Sequence, residues 1–126
     1  MNKVDVYIGA SASNYWASLQ FEDKEGVVHE KKIEKERDGT INGNLIAAVT
    51  DAFRELNRPC MVDVHTRSEY IVEPFRNGWI NNWEKNEWRN AKDRTVRNAE
   101  LWKKLREEMA RHSVRFLYTE DKRRHV

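Results

Sequence analysis

A short apolar run between two helical segments limits most strongly how this chain can fold. Residues 60–64 are apolar except for Asp63, and a helix start follows at Ser68. Before the run, apolar residues recur at helical spacing and predict an amphipathic helix over 44–56: Leu45, Ala48, Val49, Ala52, Phe53 and Leu56. A short apolar strand between helices is typical of the interior of a parallel sheet. The pattern therefore predicts an α/β fold with 60–64 as a central strand.

Three strands are predicted before that helix. The first covers 4–8 and alternates around Asp5, and the second covers 15–21 with alternate residues on one face. A charged turn at 22–26 returns the chain into a third strand over 27–36, so the last two strands form a hairpin. The third strand is so rich in charge that we expect it at a sheet edge, where charges discourage pairing with another molecule.

The remainder of the chain supplies helices and one last strand. Ser68 is the predicted N-cap of a helix that Pro74 ends or bends early. A final helix begins at about Asn98, and 114–118 is the last strand. The element order is β-β-β-α-β-α-(α)-α-β in a single domain over 1–126. We expect residues 120–126 to be loosely held or engaged with a neighbour, since little in them is apolar.

Composition excludes some classes of function and leaves others open. No apolar run approaches the ~20 residues of a membrane span, and no apolar segment follows the N-terminus as in a signal peptide. Charged residues make up 35% of the 126 residues, but the net charge is only +2, so charge alone does not require a nucleic-acid partner. The single cysteine, Cys60, predicts a buried thiol in a reduced, cytoplasmic protein. The four histidines have no metal-ligand spacing, and we expect no cofactor.

The segment over 78–102 carries the most specific signal. It contains the sequence Gly78-Trp79-Ile80-Asn81-Asn82-Trp83, then Trp88, then Val96-Arg97-Asn98-Ala99-Glu100-Leu101-Trp102. These aromatic intervals resemble the substrate-handle region of the ribonuclease H family and the helix after it. Weaker matches flank it: 4–7 resembles that family's first strand, 45–49 its first helix, and 65–70 the end of its fourth strand. The resemblance extends from residue 4 to about residue 118.

The resemblance implies a ribonuclease H-like fold, a five-stranded mixed sheet flanked by helices. The family's C-terminal helix is expected to be missing, because the sequence ends at Val126. Members of the family cut the RNA strand of RNA–DNA hybrids with two divalent metals. Two Mg²⁺ ions held close together need anionic oxygens around them, which acidic side chains supply.

The positions where the family carries its acidic residues are not acidic here. Gly9, Asn44 and Arg67 occupy three of them, and the fourth falls on the missing helix. Asp5 and Asp63 lie four residues before Gly9 and Arg67, about 13 Å away along their strands, so neither can serve the same metal pair. We therefore expect no metal site and no catalytic residues.

A set of residues around these positions is predicted to bind nucleic acid: Asn44, Arg67, Ser68, Trp88, Arg94, Arg97 and Asn98. Arg67 can dock a phosphate where the family holds metal ions. Its alternative role is an ion pair with Glu69, Glu73 or another nearby acid. Asn44 and Asn98 can bond to a nucleic-acid backbone, or they can cap helices.

The tryptophans divide between core and surface. Trp79 and Trp83 recur at helical spacing, which favours packing in the core, and Trp102 is predicted to be core as well. Trp88 lies among charged and polar neighbours, so we expect it to be exposed and available to a nucleic-acid strand.

Three functions remain after the sequence is considered. The first is a catalytically inactive ribonuclease H-like protein that binds nucleic acid, either an RNA–DNA hybrid or a duplex. The second is a protein-interaction module or homodimer on the same scaffold, because a missing terminal helix exposes a face or edge of the sheet. The third and least favoured is an active hybrid endonuclease with a rebuilt site. A contiguous positive surface through Arg67, Lys92, Arg94 and Arg97 would favour the first function, and an apolar patch would favour the second.

Overall fold

The computed structural model describes residues 2–119, so the predictions for 120–126 lie outside the described residues. Its five strands form one mixed sheet in the order β3-β2-β1-β4-β5. The strands are β1 (Asn2–Ala10), β2 (Asn14–Glu22), β3 (Val28–Glu36), β4 (Cys60–Thr66) and β5 (Ser113–Tyr118). The sheet is flanked by helices, which confirms the predicted architecture.

Strand order follows from charge and burial. β1, β2 and β3 form an antiparallel meander, and β3 lies at the edge as its charges predict. β4 lies between β1 and β5 and pairs with both in parallel, which confirms 60–64 as part of an interior strand. Apolar side chains of β4, such as Val62 and Val64, are fully buried, so this strand could not lie at an edge without exposing them.

The helices are α1 (Ile41–Arg54), α2 (Glu69–Arg76), α3 (Trp79–Lys85) and α4 (Ala99–Met109). α1 packs between the sheet and α4, and residues 43–53 are buried around its whole circumference. Ile46, Val49 and Phe53 of α1 are fully buried, and Trp102 of α4 joins them, as predicted. α1 begins after Thr40, whose hydroxyl accepts a hydrogen bond from the amide of Gly43.

The region from α2 to α3 turns within a few residues. Pro74 lies inside α2, which ends two residues later at Arg76. Gly78 has a φ of +72° and lets the chain turn directly into α3, a backbone conformation that glycine adopts without steric cost. None of the helices in the described part of the chain is long and apolar enough to cross a membrane.

The two faces of the sheet differ in chemistry. One face packs against α1 and carries buried side chains such as Val4 and Val6. Because side chains alternate along a strand, Asp5 and Tyr7 lie on the opposite face together with β4 residues such as Asp63. The candidate site lies on this second face, where the carboxyl ends of β1 and β4 are adjacent.

Candidate nucleic-acid interface

Three positions that are far apart in sequence meet at the carboxyl ends of the interior strands β1 and β4. The parallel register of β1 and β4, continued by two residues, places Gly9 beside Arg67. Asn44 reaches the same strand ends from α1, since its Nδ2 donates a hydrogen bond of 2.8 Å to the carbonyl oxygen of Ser11. The positions that the ribonuclease H resemblance marks as metal-binding therefore converge in space.

The indole of Trp16 fills the space above Gly9. The two residues are direct cross-strand partners on β1 and β2. A β carbon built on Gly9 would lie 2.6 Å from Cζ2 of Trp16 and still closer to its Nε1 and Cε2. An aspartate therefore cannot occupy this position unless the indole moves. Trp16 remains 43% exposed, so it presents an aromatic surface to solvent beside Gly9.

Asn44 is a structural residue inside the protein. Its side chain is fully buried; Nδ2 donates to the carbonyl oxygens of Ser11 and Arg37, and Oδ1 accepts from Nη1 of Arg37 at 2.8 Å. The prediction that it caps α1 is wrong, because Thr40 is the N-cap. The prediction that it touches nucleic acid fails as well, since a buried amide with these partners cannot reach a bound strand.

The nearest carboxylates are held by cations. Asp5 and Asp63 are register partners on β1 and β4, and Nζ of Lys3 lies 3.2 Å from one and 2.9 Å from the other. Arg115 donates two hydrogen bonds of 2.8 Å to Asp63, and Nε2 of His65 lies 2.8 Å from Oδ1 of Asp5. The Arg115 guanidinium lowers the pKa of Asp63 to about 2, against the opposing effect of burial. Both carboxylates are therefore committed to ion pairs.

These side chains do not fit a pair of divalent cations. The three family positions offer a glycine, a buried amide already used in hydrogen bonds, and a guanidinium, which is a cation with no lone pair to donate. Mg²⁺ requires oxygen ligands, most often carboxylates. No group of three or more histidine, cysteine or acidic side chains within residues 2–119 is placed to hold a metal ion.

Arg67, Ser68 and Asn98 lie around the start of α2. Arg67 is exposed directly after β4, and Ser68 is the N-cap residue of α2, although its side chain makes no capping hydrogen bond. Asn98 is the N-cap residue of α4 and makes no capping hydrogen bond either; instead its Nδ2 donates to the hydroxyl of Tyr70 at 2.9 Å. This bond ties the start of α4 to the start of α2, so these three predicted residues occupy one region.

Trp79 and Trp88 have the reverse of their predicted exposures. Trp88 is only 8% exposed, so the prediction that it contacts a nucleic-acid strand from the surface is wrong. Its φ of +62° and the hydrogen bond from its amide to the carbonyl of Trp83 fold the ring inward. Trp79 is 41% exposed, against the expectation that it packs in the core, and Trp83 lies between Trp79 and Trp102, with ring centroids 6.4 and 6.3 Å away.

Arg94 and Arg97 belong to a tight exposed loop between α3 and α4. Arg89 and Thr95 form an isolated antiparallel bridge, and the side chain of Asn90 accepts hydrogen bonds from the backbone amides across the turn. Arg94 and Arg97 are both exposed. Arg97 directly precedes Asn98 and so lies beside the α2 start, whereas Arg94 lies further out along the loop.

Comparison with known proteins decides the family. The ribonuclease H family model matches residues 3–121, nearly the whole chain. The chain belongs to the ribonuclease H family. It is 39% identical over 90 residues to a ribonuclease H of Clostridium botulinum, covering 71% of this chain and 60% of that protein. A ribonuclease H of Rickettsia canadensis is 35% identical over 120 residues, covering 90% of this chain and 74% of that protein.

Solved ribonuclease H structures share the fold. LC9-RNase H1, described as a type 1 enzyme with the type 2 active-site motif, superposes with a TM-score of 0.80 at 18% identity, covering 95% of this chain and 64% of that one. LC11-RNase H1 in complex with an RNA/DNA hybrid superposes with a TM-score of 0.60 at 16% identity, covering 98% and 88%. The chain spans about 60% of the length of the first curated ribonucleases H that it matches.

Trp16 is the residue of the ribonuclease H scaffold that sequence reasoning missed. Its location on the second strand was predicted, but its place opposite Gly9 depends on the register of β1 and β2. The sequence signal that points to it is a glycine and a large aromatic residue on the two strands of one hairpin. In such a pair the aromatic ring covers the glycine backbone.

Proposed function

We propose that this ribonuclease H family member binds nucleic acid, an RNA–DNA hybrid or a duplex, without cutting it. One observation carries the proposal: the Trp16 indole occupies the space that a side chain at Gly9 would need. A simple loss of the aspartate would leave a gap at this position. Here the gap is filled by an aromatic ring that has its own contact surface, and Arg67 supplies positive charge beside it.

We assign to the proposed interface residues of the strand ends, the starts of α2, α3 and α4, and the loop before α4, all of them exposed or half-buried: Trp16, Arg67, Ser68, Trp79, Arg94, Arg97 and Asn98. Trp79 takes the place that Trp88 had in the sequence prediction, because Trp79 is the exposed ring. Arginine and amide side chains can bond to phosphates, and exposed indoles can stack on bases or pack against sugars. The RNA/DNA hybrid bound by LC11-RNase H1 supports this class of ligand.

The alternative is an active nuclease, since the curated relatives carry the name ribonuclease H. A cleavage assay separates the two functions. Labelled RNA–DNA hybrid is incubated with the protein in Mg²⁺ or Mn²⁺, and the same preparation is titrated with hybrid, duplex and single strands at two salt concentrations. We expect salt-dependent binding of hybrid or duplex and intact RNA throughout. Metal-dependent cleavage by protein free of host nuclease would overturn the proposal.

We also propose a reducing, cytoplasmic setting for this function. Cys60 is a buried free thiol, and its burial raises the thiol pKa, so it is poorly suited to disulfide exchange. Its Sγ lies 3.1 Å from the carbonyl oxygen of Arg58. The thiol therefore packs against the loop before β4. Labelling of the intact protein with a thiol reagent should be slow until the protein is unfolded.

A further inference from the structure

The two edges of the sheet differ in their protection against pairing with another strand. β3, at one edge, carries charged side chains at six of nine positions, from Glu30 to Glu36. β5, at the other edge, has the sequence Ser-Val-Arg-Phe-Leu-Tyr, in which Arg115 is the single charged residue. Charges on an edge strand discourage pairing, whereas an aromatic and β-branched edge is a template for it.

The backbone groups of β5 alternate between β4 and the open edge. The amide of Thr119 donates to the carbonyl of Thr66 at 2.8 Å, so odd-numbered residues of β5 face β4. The N–H and C=O groups of Val114, Phe116 and Tyr118 therefore point away from the sheet. None of the backbone pairings among residues 2–119 uses these outward groups.

We propose that β5 pairs with β5 of a second copy of this chain, antiparallel and about a twofold axis at Phe116. In this register Phe116 lies opposite Phe116, and Val114 lies opposite Tyr118 on each side. All three are pairs of outward-facing residues, and each exchanges two hydrogen bonds, so the contact adds about six. A twofold interface presents the same surface from both copies, which a single self-complementary strand satisfies.

The charges of β5 select this register over its neighbours. With the axis at Phe116, Arg115 lies opposite Leu117 of the second copy, so the two arginines are not directly opposed. Moving the axis to residue 115 would place Arg115 against Arg115, and directly opposed like charges destabilise a strand pair. Moving it to residue 117 would place Val114 opposite residue 120, beyond the last residue of β5. Arg115 is already held in place by its two hydrogen bonds to Asp63.

The side chains on the helix-covered face also suit a second copy. Phe116 stacks on Phe75 with ring centroids 4.1 Å apart, and together with Val114 and Met109 they line a depression beside the edge. Tyr118 is 43% exposed, so its ring is available to a second copy at this edge. In the proposed register, Tyr118 of the second copy lies opposite Val114, at the rim of this depression.

The test measures association of the full chain by sedimentation equilibrium over a wide range of protein concentration, after nuclease treatment. We expect a reversible dimer. Tyr118→Lys should weaken it by about tenfold or more, because a charge then lies opposite Val114. Val28→Lys is the matched control, since Val28 is an exposed apolar residue on the charged β3 edge; it should leave the dimer unchanged.

Amide hydrogen exchange gives an independent readout. The amides of Val114, Phe116 and Tyr118 should exchange fast at low protein concentration and become protected as the dimer forms. The amides of Arg115 and Leu117 should be protected at all concentrations, because they bond to β4. A monomer at every concentration would overturn the proposal. Protection of the outward amides in a monomer would also overturn it, since it would show that the chain's own segment covers the edge.

Discussion

The indole of Trp16 lies directly over the Cα of Gly9, its cross-strand partner, at the edge where β1 and β4 end. Each residue depends on the other: glycine leaves room for the indole, and the indole shields the glycine backbone from water. This packing explains why a residue with a side chain does not fit at position 9 while the indole of Trp16 stays where it is.

The packing of Trp16 on Gly9 should give a measurable coupling in the free energy of unfolding. Gly9→Ala should lower the free energy of unfolding by about 1–3 kcal/mol, because the added methyl group displaces the indole. In a Trp16→Ala background the same substitution should be neutral or slightly stabilising, since glycine is unfavourable inside a strand when nothing requires it. Urea unfolding of the four proteins gives the coupling free energy. An equal cost of Gly9→Ala in both backgrounds would contradict the packing argument.

Metal ions should leave the native protein unaffected. A ligand that binds only the folded state raises the melting temperature once its concentration exceeds its dissociation constant. Since Gly9, Asn44 and Arg67 offer no carboxylate, we expect millimolar Mg²⁺ or Mn²⁺ to give the same melting temperature as a monovalent salt of equal ionic strength. A rise in melting temperature that is specific to the divalent ion would show a metal site in the protein.

Acid should destabilise the fold through Asp63. Its pKa is lowered to about 2 by hydrogen bonds from Arg115 and Lys3, below the usual carboxyl value near 3.8. A carboxyl with a lowered pKa stabilises the folded state above its unfolded pKa, and this contribution is lost as the pH falls through the folded value. Asp63→Asn should therefore cost on the order of 2 kcal/mol at pH 7 and much less near pH 2. Guanidinium unfolding at the two pH values measures the difference; an equal cost at both would contradict a charge-based role.

Trp79 and Trp88 should respond differently to replacement by alanine. Trp79→Ala should weaken nucleic-acid binding by about 1–3 kcal/mol and leave the melting temperature nearly unchanged, because the ring is partly exposed. Trp88→Ala should cost about 3–5 kcal/mol of stability, since it empties a buried site. Melting curves and binding titrations on both variants make the comparison. A loss of stability without loss of affinity in Trp79→Ala would assign Trp79 to the scaffold.

The pattern of apolar and charged residues predicts those strands and helices whose position in the fold depends on their own sequence. The apolar run of β4 and the charges of β3 specify an interior and an edge strand without reference to the rest of the chain. The helical spacing of α1 likewise predicts the buried residues of one face, but not that Ile46, Thr50 and Asp51 are buried as well. Its N-terminus was misplaced, because Asn44 and Thr40 are both acceptable caps by type and only the fold buries Asn44.

Tertiary contacts decide what local pattern misses. Trp88 has charged neighbours in sequence, which predicts exposure, but the positive φ values of Glu87 and Trp88 turn the ring into the core. The role of Trp16 depends on a register that places it opposite Gly9. The convergence of Gly9 with Arg67 was available from sequence only through the family resemblance, because no local pattern aligns the ends of two strands.

Arg67 is the substitution that tests the proposed function most directly. Its guanidinium lies at the carboxyl end of an interior strand, where it can hold a phosphate without activating a water molecule. Arg67→Asp should weaken binding of hybrid or duplex by about 1.5–3 kcal/mol, the range for a hydrogen bond to a charged group. It should also lower the slope of log affinity against log salt by about one phosphate contact, uniformly across sequences. Arg58→Asp is the matched control, because Arg58 is exposed in the loop before β4, at the opposite end of that strand. If Arg67 serves only an ion pair within the fold, Arg67→Asp will lower the melting temperature and leave the salt slope as it is in Arg58→Asp.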